Sequence, residues 1–121
     1  MSYEFIKVDK KERVTTITIN RPDVMNALHP PTCREMDGAL NEFSDDPEAW
    51  IAILTGAGDK AFSAGNDLKF QARNGAQAVR EGRKNLRGGF GGITRRFDLF
   101  KPVIAAVNGF ALGGGFEMVL A

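Results

Sequence analysis

The chain opens with two runs of alternating apolar and polar residues that predict an antiparallel hairpin. Residues 5–8 and 14–19 are rich in β-branched side chains, and a polar run at residues 9–13 separates them. β-Branched residues favour strands, and a short polar connection between two strands is typical of a hairpin. The sequence therefore predicts that the fold begins with β structure.

An amphipathic helix is predicted after a loop that ends near His29. Apolar residues recur there at helical spacing, at Cys33, Met36, Leu40 and Phe43. Thr32 and Glu35 match a capping box that would start this helix, and the run at residues 45–47 would end it. We interpret Cys33 and Met36 as core residues and His29 as a loop residue rather than a ligand.

Two continuous apolar runs, at residues 50–54 and 103–107, predict strands that are buried on both faces. A long, partly helical connection separates them, which favours a parallel pair joined by a right-handed crossover. The predicted fold class is α/β. A last helix is predicted over residues 116–121.

Composition indicates one globular domain in the 121 residues, of which 43% are hydrophobic and 26% are charged. The chain has no run of apolar residues long enough to span a bilayer and no signal-peptide pattern, so we expect a cytoplasmic protein without a membrane partner. A single cysteine and a single histidine predict neither an internal disulfide nor a Cys/His zinc site. We therefore expect no metal.

The net charge of +1 gives no reason to expect a nucleic-acid partner, but the positive charge is unevenly distributed. Half of the basic residues lie between positions 69 and 96 and are opposed only by Glu81. Six glycines in the same segment weaken any regular helix, which favours a solvated, mobile segment. The alternative interpretation is a surface that faces an anion.

Glycine-containing turns follow both apolar strands and precede predicted helices. Free backbone N–H groups at such turns can bind an anion. Neither the dinucleotide fingerprint after these strands nor a P-loop is present, which leaves a developing oxyanion such as a thioester enolate. Glu117 lies three residues beyond Gly114, where partial desolvation would suit a general acid or base. The alternative is that Glu117 is an acidic residue favoured by the helix dipole.

Two longer motifs resemble the signature of the enoyl-CoA hydratase/isomerase, or crotonase, superfamily. They are AFSAGNDL at residues 61–68 and KPVIAAVNGFALGGGFE at residues 101–117, and residues 20–22 and 26–28 fit the same family. The resemblance implies a crotonase-like α/β fold, a spiral of ββα units. Residues 1–121 are then expected to be the N-terminal part of one such domain, with its C-terminal part absent.

The resemblance also implies site residues. The backbone N–H groups of Asn66 and Gly114 match the family's oxyanion hole, and Glu117 matches the first of two glutamates that handle water addition. The second glutamate is expected beyond Ala121. The family's coenzyme A contacts match Met25, Ala27, Leu28, Ala64, Asp67 and Leu68, and of these Asp67 is expected to be structural.

The expected partner is an acyl-CoA thioester, with coenzyme A as part of the substrate and no permanently bound cofactor. Residues 88–94 and the Phe116-Glu117 pair resemble carnitinyl-CoA dehydratases more than typical short-chain enoyl hydratases, although Asn66 departs from the small apolar or aromatic residue often found there. Generic enoyl-CoA hydration is the close alternative. The resemblance further implies trimers or hexamers, with the 121-residue chain alone inactive. A non-enzymatic alternative is RNA binding through the basic segment, but few aromatic residues there could stack on bases.

Overall fold

A four-stranded sheet organises the structure, a computed structural model that describes residues 2–121. The strands are β1 (Ile6–Lys11), β2 (Val14–Ile19), β3 (Ile51–Gly56), β4 (Ala61–Ser63), β5 (Val103–Ala105) and β6 (Phe110–Ala111), and the helices are α1 (Pro30–Asp45), α2 (Leu68–Gly82) and α3 (Gly114–Leu120). The main sheet has the order β1-β2-β3-β5, and β4 and β6 form a separate parallel pair. These features confirm the predicted α/β class.

The hairpin and the parallel crossovers follow the hydrophobic pattern. β1 and β2 pair antiparallel, whereas β2 with β3 and β3 with β5 are parallel. In β2 and β3 every second residue is buried, and Ile17 and Ile19 are completely inaccessible. Strand side chains alternate between the two faces, so one face of the sheet packs on the core and the other is partly exposed. The prediction that β3 is buried on both faces was therefore wrong.

β5 also differs from its prediction as a buried strand. Among residues 2–121 it pairs only with β3 and lies at one end of the main sheet. Ile104 is 51% exposed and Val107 is 48% exposed. The apolar run predicted the strand itself but could not show that Ile104 stays exposed among residues 2–121.

α1 packs against the sheet through its apolar face, and Cys33 and Met36 are fully buried, as predicted. The predicted capping box does not form, because the helix begins earlier, at Pro30, and His29 is its N-cap. The Nδ1 of His29 accepts a hydrogen bond from the backbone N–H of Thr32 at 3.4 Å. The carboxylate of Glu35 instead accepts hydrogen bonds from the backbone at residues 4 and 5.

The connection between β3 and β5 is partly helical, as predicted, although α2 is longer than the glycine content indicated. Gly75 breaks its regularity with φ 87° and ψ 158°, values that glycine tolerates best. No helix in residues 2–121 has the length and apolar content needed to cross a membrane.

The basic segment is also less uniform than predicted. Arg96 lies in the core, where its guanidinium pairs with the carboxylate of Asp37 at 2.8 Å and is inaccessible to solvent. Arg87 forms an ion pair with Asp98 at 2.6 Å. The expectation of a solvated flank is therefore wrong for Arg96.

Candidate active site

Pairing of β4 with β6 brings two glycine-containing turns into contact. The backbone N–H of Leu112 donates to the carbonyl of Ser63 at 3.1 Å. A Cβ on Gly65 would lie 2.7 Å from the backbone nitrogen of Gly114, and a Cβ on Gly115 would overlap the carbonyl oxygen of Ser63. Only glycine allows the backbones to approach this closely. The two turns predicted from the sequence are therefore adjacent.

A third segment, residues 25–28, packs along the first of these turns, the one that follows β4. The N–H of Ala64 donates to the carbonyl of Met25 at 2.9 Å, and the N–H of Leu28 donates to the carbonyl of Gly65 at 2.7 Å. The carbonyl of Leu28 in turn accepts from the N–H of Asp67 at 3.2 Å. These bonds hold residues 25–28 and the turn after β4 together as one unit.

Two buried polar side chains fix this unit. Asn26 is 1% exposed, and its Nδ2 donates to the carbonyls of Ala57 at 3.0 Å and Ala61 at 2.8 Å. The hydroxyl of Ser63 donates to the carbonyl of Asn26 at 2.8 Å and accepts from the N–H of Gly65 at 3.1 Å. Buried polar groups that are satisfied in this way rigidify a turn.

The backbone N–H groups of Asn66 and Gly114 have no hydrogen-bond acceptor among residues 2–121. Leu28 bonds to the residues on either side of Asn66, as in a parallel bridge, so the N–H of Asn66 points away from it. Gly114 is the first residue of α3, where the helix itself supplies no acceptor. The adjacent turns therefore offer two unpaired donors.

A cavity of about 320 Å³ adjoins the first turn. It is lined by Asp23, Val24, Met25, Ala27, Ala64, Asn66, Asp67, Leu68 and Lys69. Five of the six residues expected to contact coenzyme A are therefore brought together. The exception is Leu28, whose side chain is fully buried in the core, so only its backbone faces the turn.

The carboxylate of Asp67 supports the local structure. It caps α2 by accepting from the N–H of Phe70 at 2.9 Å, and it pairs with Arg21 at 2.9 Å. Burial opposes ionisation of Asp67, but the hydrogen bond from Phe70 and the guanidinium of Arg21 outweigh it and lower its pKa. Arg21 lies in the motif at residues 20–22, but the sequence does not predict this ion pair.

Glu117 is exposed, so the expected partial desolvation of its carboxylate does not occur in residues 2–121. α3 packs inward through Gly115 and Met118, its two buried residues. At about 100° per residue, Glu117 points about 200° away from Gly115 and therefore toward solvent. The sequence shows that Glu117 lies three residues after Gly114, but it does not show which residues of α3 face inward.

Nothing in the sequence distinguishes Arg83 from the other basic residues between positions 69 and 96. Its Nη2 donates to Oδ1 of Asn66, and its guanidinium lies 4.6 Å from the ring centroid of Phe90. The Phe90 ring in turn occupies the space where a Cβ of Gly114 would lie. Arg83 therefore contacts the surroundings of both unpaired donors.

Comparison with known proteins agrees with the two motifs. The family model described as enoyl-CoA hydratase/isomerase matches residues 9–121. A protein named carnitinyl-CoA dehydratase from Salmonella enteritidis is 48% identical over 118 residues, 98% of this chain and 43% of the relative. The relative of the same name from Citrobacter koseri is 51% identical over 108 residues, 89% of this chain and 40% of the relative.

Solved structures give the same result. The crystal structure of carnitinyl-CoA hydratase from Mycobacterium avium aligns with a TM-score of 0.84 at 42% identity, over 97% of this chain and 43% of that one. That of enoyl-CoA hydratase from Bacillus anthracis gives 0.83 at 37% identity, over 97% and 45%. The chain spans less than half the length of the curated relatives it matches.

Proposed function

Because the chain belongs to the enoyl-CoA hydratase/isomerase family, we propose that the protein adds water to, or removes water from, the α,β bond of an acyl-CoA thioester. The observation that carries this proposal is the contact between two glycine-containing turns that each hold an unpaired backbone N–H, at Asn66 and Gly114. Two such donors suit an oxygen that becomes negative during the reaction. The proposal requires no permanently bound cofactor.

The two N–H groups would donate to the thioester oxygen. As water adds to the β carbon, electron density moves through the α carbon onto that oxygen and gives an enolate. Fixed donors stabilise the enolate more than the ground-state thioester, and removal of one such donor typically costs about 10²- to 10³-fold in turnover. The hydrogen bonds of Asn26 and Ser63 keep the first turn in place before substrate arrives.

The cavity beside the first turn suits the pantetheine part of coenzyme A. Met25, Ala27, Ala64 and Leu68 give it apolar walls, and Lys69 supplies a positive charge on the same cavity. An apolar site with a few polar groups is typical of small-molecule binding. We assign Asp67 to the support of this wall, through its cap on α2 and its pair with Arg21.

Glu117 is proposed as one of the two groups that exchange a proton with water and substrate. It lies on α3, three residues after the donor at Gly114, and its side chain is exposed. In the resemblance to hydratases it matches the first of two glutamates.

The test of Glu117 is the Glu117→Gln variant of the naturally encoded protein. Gln keeps the size of the side chain but cannot exchange a proton, so kcat should fall by about 10²- to 10⁴-fold while thioester binding stays nearly unchanged. Glu81→Gln, which removes an exposed carboxylate from α2, is the matched control and should retain turnover. Full activity of Glu117→Gln would remove the proposed role.

The acyl group has two candidates, since the similar proteins carry the names carnitinyl-CoA dehydratase and enoyl-CoA hydratase. Hydration rates with crotonobetainyl-CoA and crotonyl-CoA distinguish them. Turnover of the first alone would support the dehydratase type, and turnover of the second alone would support a generic hydratase.

We also propose that the protein assembles with copies of itself, as the family resemblance implies. Large apolar side chains on the outer surface support this proposal, with Phe97 85% exposed and Phe100 93% exposed. Exposed apolar patches commonly mark contact surfaces. Sedimentation equilibrium of the naturally encoded protein should give a trimer or hexamer, and a monomer at micromolar concentration would contradict the proposal.

A further inference from the structure

Arg83 is a half-buried cation without a counter-ion. No carboxylate of residues 2–121 forms an ion pair with it. Its Nε is the one fully buried side-chain nitrogen or oxygen in that range without a hydrogen-bond partner. The Nη1 has no acceptor in that range either, but it is not fully buried and can therefore meet an incoming group.

The surroundings of Arg83 do not neutralise it. The nearby thiol of Cys33 is buried, and burial raises its pKa, so the thiol stays neutral. Asn66 and the Phe90 ring supply a carboxamide oxygen and a π face, which are weaker partners than a carboxylate. A partly buried charge that lacks a partner is costly, and an anion would offset that cost.

The position of Arg83 connects this charge to the proposed reaction. Its Nη2 binds the side chain of Asn66, whose own N–H is one proposed donor to the thioester oxygen. Its guanidinium stacks on Phe90, and that ring packs against Gly114, which carries the other donor. When the thioester oxygen lies between the two turns, the acyl chain begins at that carbonyl. The chain therefore starts beside the guanidinium of Arg83.

We propose that Arg83 determines acyl-group specificity and selects thioesters whose acyl chain ends in a carboxylate. This inference rests on the proposed function. A guanidinium donates charge-assisted hydrogen bonds to a carboxylate, and the Nη1 of Arg83 is the donor that is not fully buried and has no acceptor among residues 2–121. A quaternary ammonium group, as in a carnitinyl thioester, would meet repulsion at the same place. On this proposal, the acyl group that this site selects differs from the carnitinyl group in the names of the similar proteins.

Three thioesters with the same but-2-enoyl unit test the proposal. They carry at the γ carbon a hydrogen, a carboxylate or a trimethylammonium group, and kcat/KM for hydration is measured with each in the naturally encoded protein. We expect the carboxylate to be preferred over the hydrogen by about 10- to 100-fold, because hydrogen bonds to charged groups are of that strength. The trimethylammonium thioester should be the poorest substrate.

Variants separate specificity from structural support. Arg83→Gln should bring the carboxylate-to-hydrogen ratio close to one, even if loss of the bond to Asn66 also lowers turnover of all three thioesters. Arg83→Lys should keep part of the preference, since it keeps the positive charge but not the geometry of the guanidinium. The matched control is Lys84→Gln, which removes an exposed charge from the next residue and should leave the ratio unchanged.

Either of two results would overturn the assignment. One is that the wild-type protein prefers the trimethylammonium thioester, and the other is that Arg83→Gln leaves the carboxylate-to-hydrogen ratio unchanged. If that variant does not fold, the wild-type series and Arg83→Lys still decide the question. Failure to hydrate any of the three thioesters would instead contradict the proposed function, so the two failures are distinguishable.

Discussion

Gly65→Ala tests whether contact between the two turns is needed for catalysis. Gly65 has φ 89°, and its Cβ position lies 2.7 Å from the nitrogen of Gly114 and 2.8 Å from the carbonyl oxygen of Leu112. The obstacle is backbone on both sides, so no flexible side chain can move away. An added methyl group must therefore displace one turn from the other.

The size of the displacement follows from ordinary contact distances. A contact of 3.4 Å is the lower limit of normal packing, so the 2.7 Å contact requires a shift of about 0.7 Å at Gly114. Misplacement of about 1 Å can cost about 10²-fold in rate. We therefore expect kcat/KM to fall by about 10- to 100-fold, together with a loss of about 1–3 kcal/mol of stability from the unfavourable φ.

Gly75→Ala is the matched control. Gly75 has nearly the same φ, 87°, but no atom lies within 4 Å of its Cβ position. Both variants should lose stability in urea unfolding from the positive φ, and Gly65→Ala should lose more because of its backbone contacts, whereas only Gly65→Ala should lose hydratase activity. Equal turnover in the two variants, measured well below their unfolding temperatures, would refute the requirement for close contact between the turns.

Three further perturbations test what holds the fold together. Arg96→Met leaves the buried carboxylate of Asp37 without its partner and should cost about 3–5 kcal/mol in urea unfolding, whereas a loss below about 1 kcal/mol would show that the pair is dispensable. The folded-state pKa of Asp67 lies below its ordinary 3.8, so the stability that its carboxylate contributes is present above pH 3.8 and is lost as pH falls through the folded pKa. In acid unfolding titrations, Asp67→Asn should therefore lose less stability over that pH range than the wild type. Burial lowers the pKa of His29 below 6.5, so protons bind the unfolded chain more readily and stability falls as pH drops from 6.5 toward the folded pKa; unfolding curves of His29→Gln should lack that component.

Local sequence patterns predicted the elements of the fold better than their surroundings. The β-branched runs predicted the hairpin, and the spacing of Cys33 and Met36 predicted the inward face of α1. The start of α1 was predicted too late, because a His N-cap followed by two prolines competes with the more familiar Thr32 and Glu35 pattern. The exposure of β5 could not be predicted, since an apolar run does not show which strands or helices will cover it.

The site shows the same division. Glycines after two strands predicted two turns, and the pairing of β4 with β6 makes those turns adjacent. The contacts of Arg83 with Asn66 and Phe90 could not be predicted, because they depend on how the chain folds back after α2 to place Phe90 on Gly114. The orientation of Glu117 also depends on packing, since it is set by which residues of α3 face inward.

Two features have a common explanation: the unusual residue at position 66, and the Arg83 cation, which has no ion-pair partner among residues 2–121. The carboxamide of Asn66 accepts from Arg83 and donates to Gln71 at 2.8 Å, so it links α2 to the residue that follows it. A small apolar residue at position 66 would leave Nη2 of Arg83 with one acceptor, the carbonyl of Leu28 at 3.5 Å. Asn66 therefore holds the guanidinium beside the proposed donor while leaving Nη1 free. A site adapted to an acyl group that ends in a carboxylate would therefore explain why Asn66 departs from the family pattern.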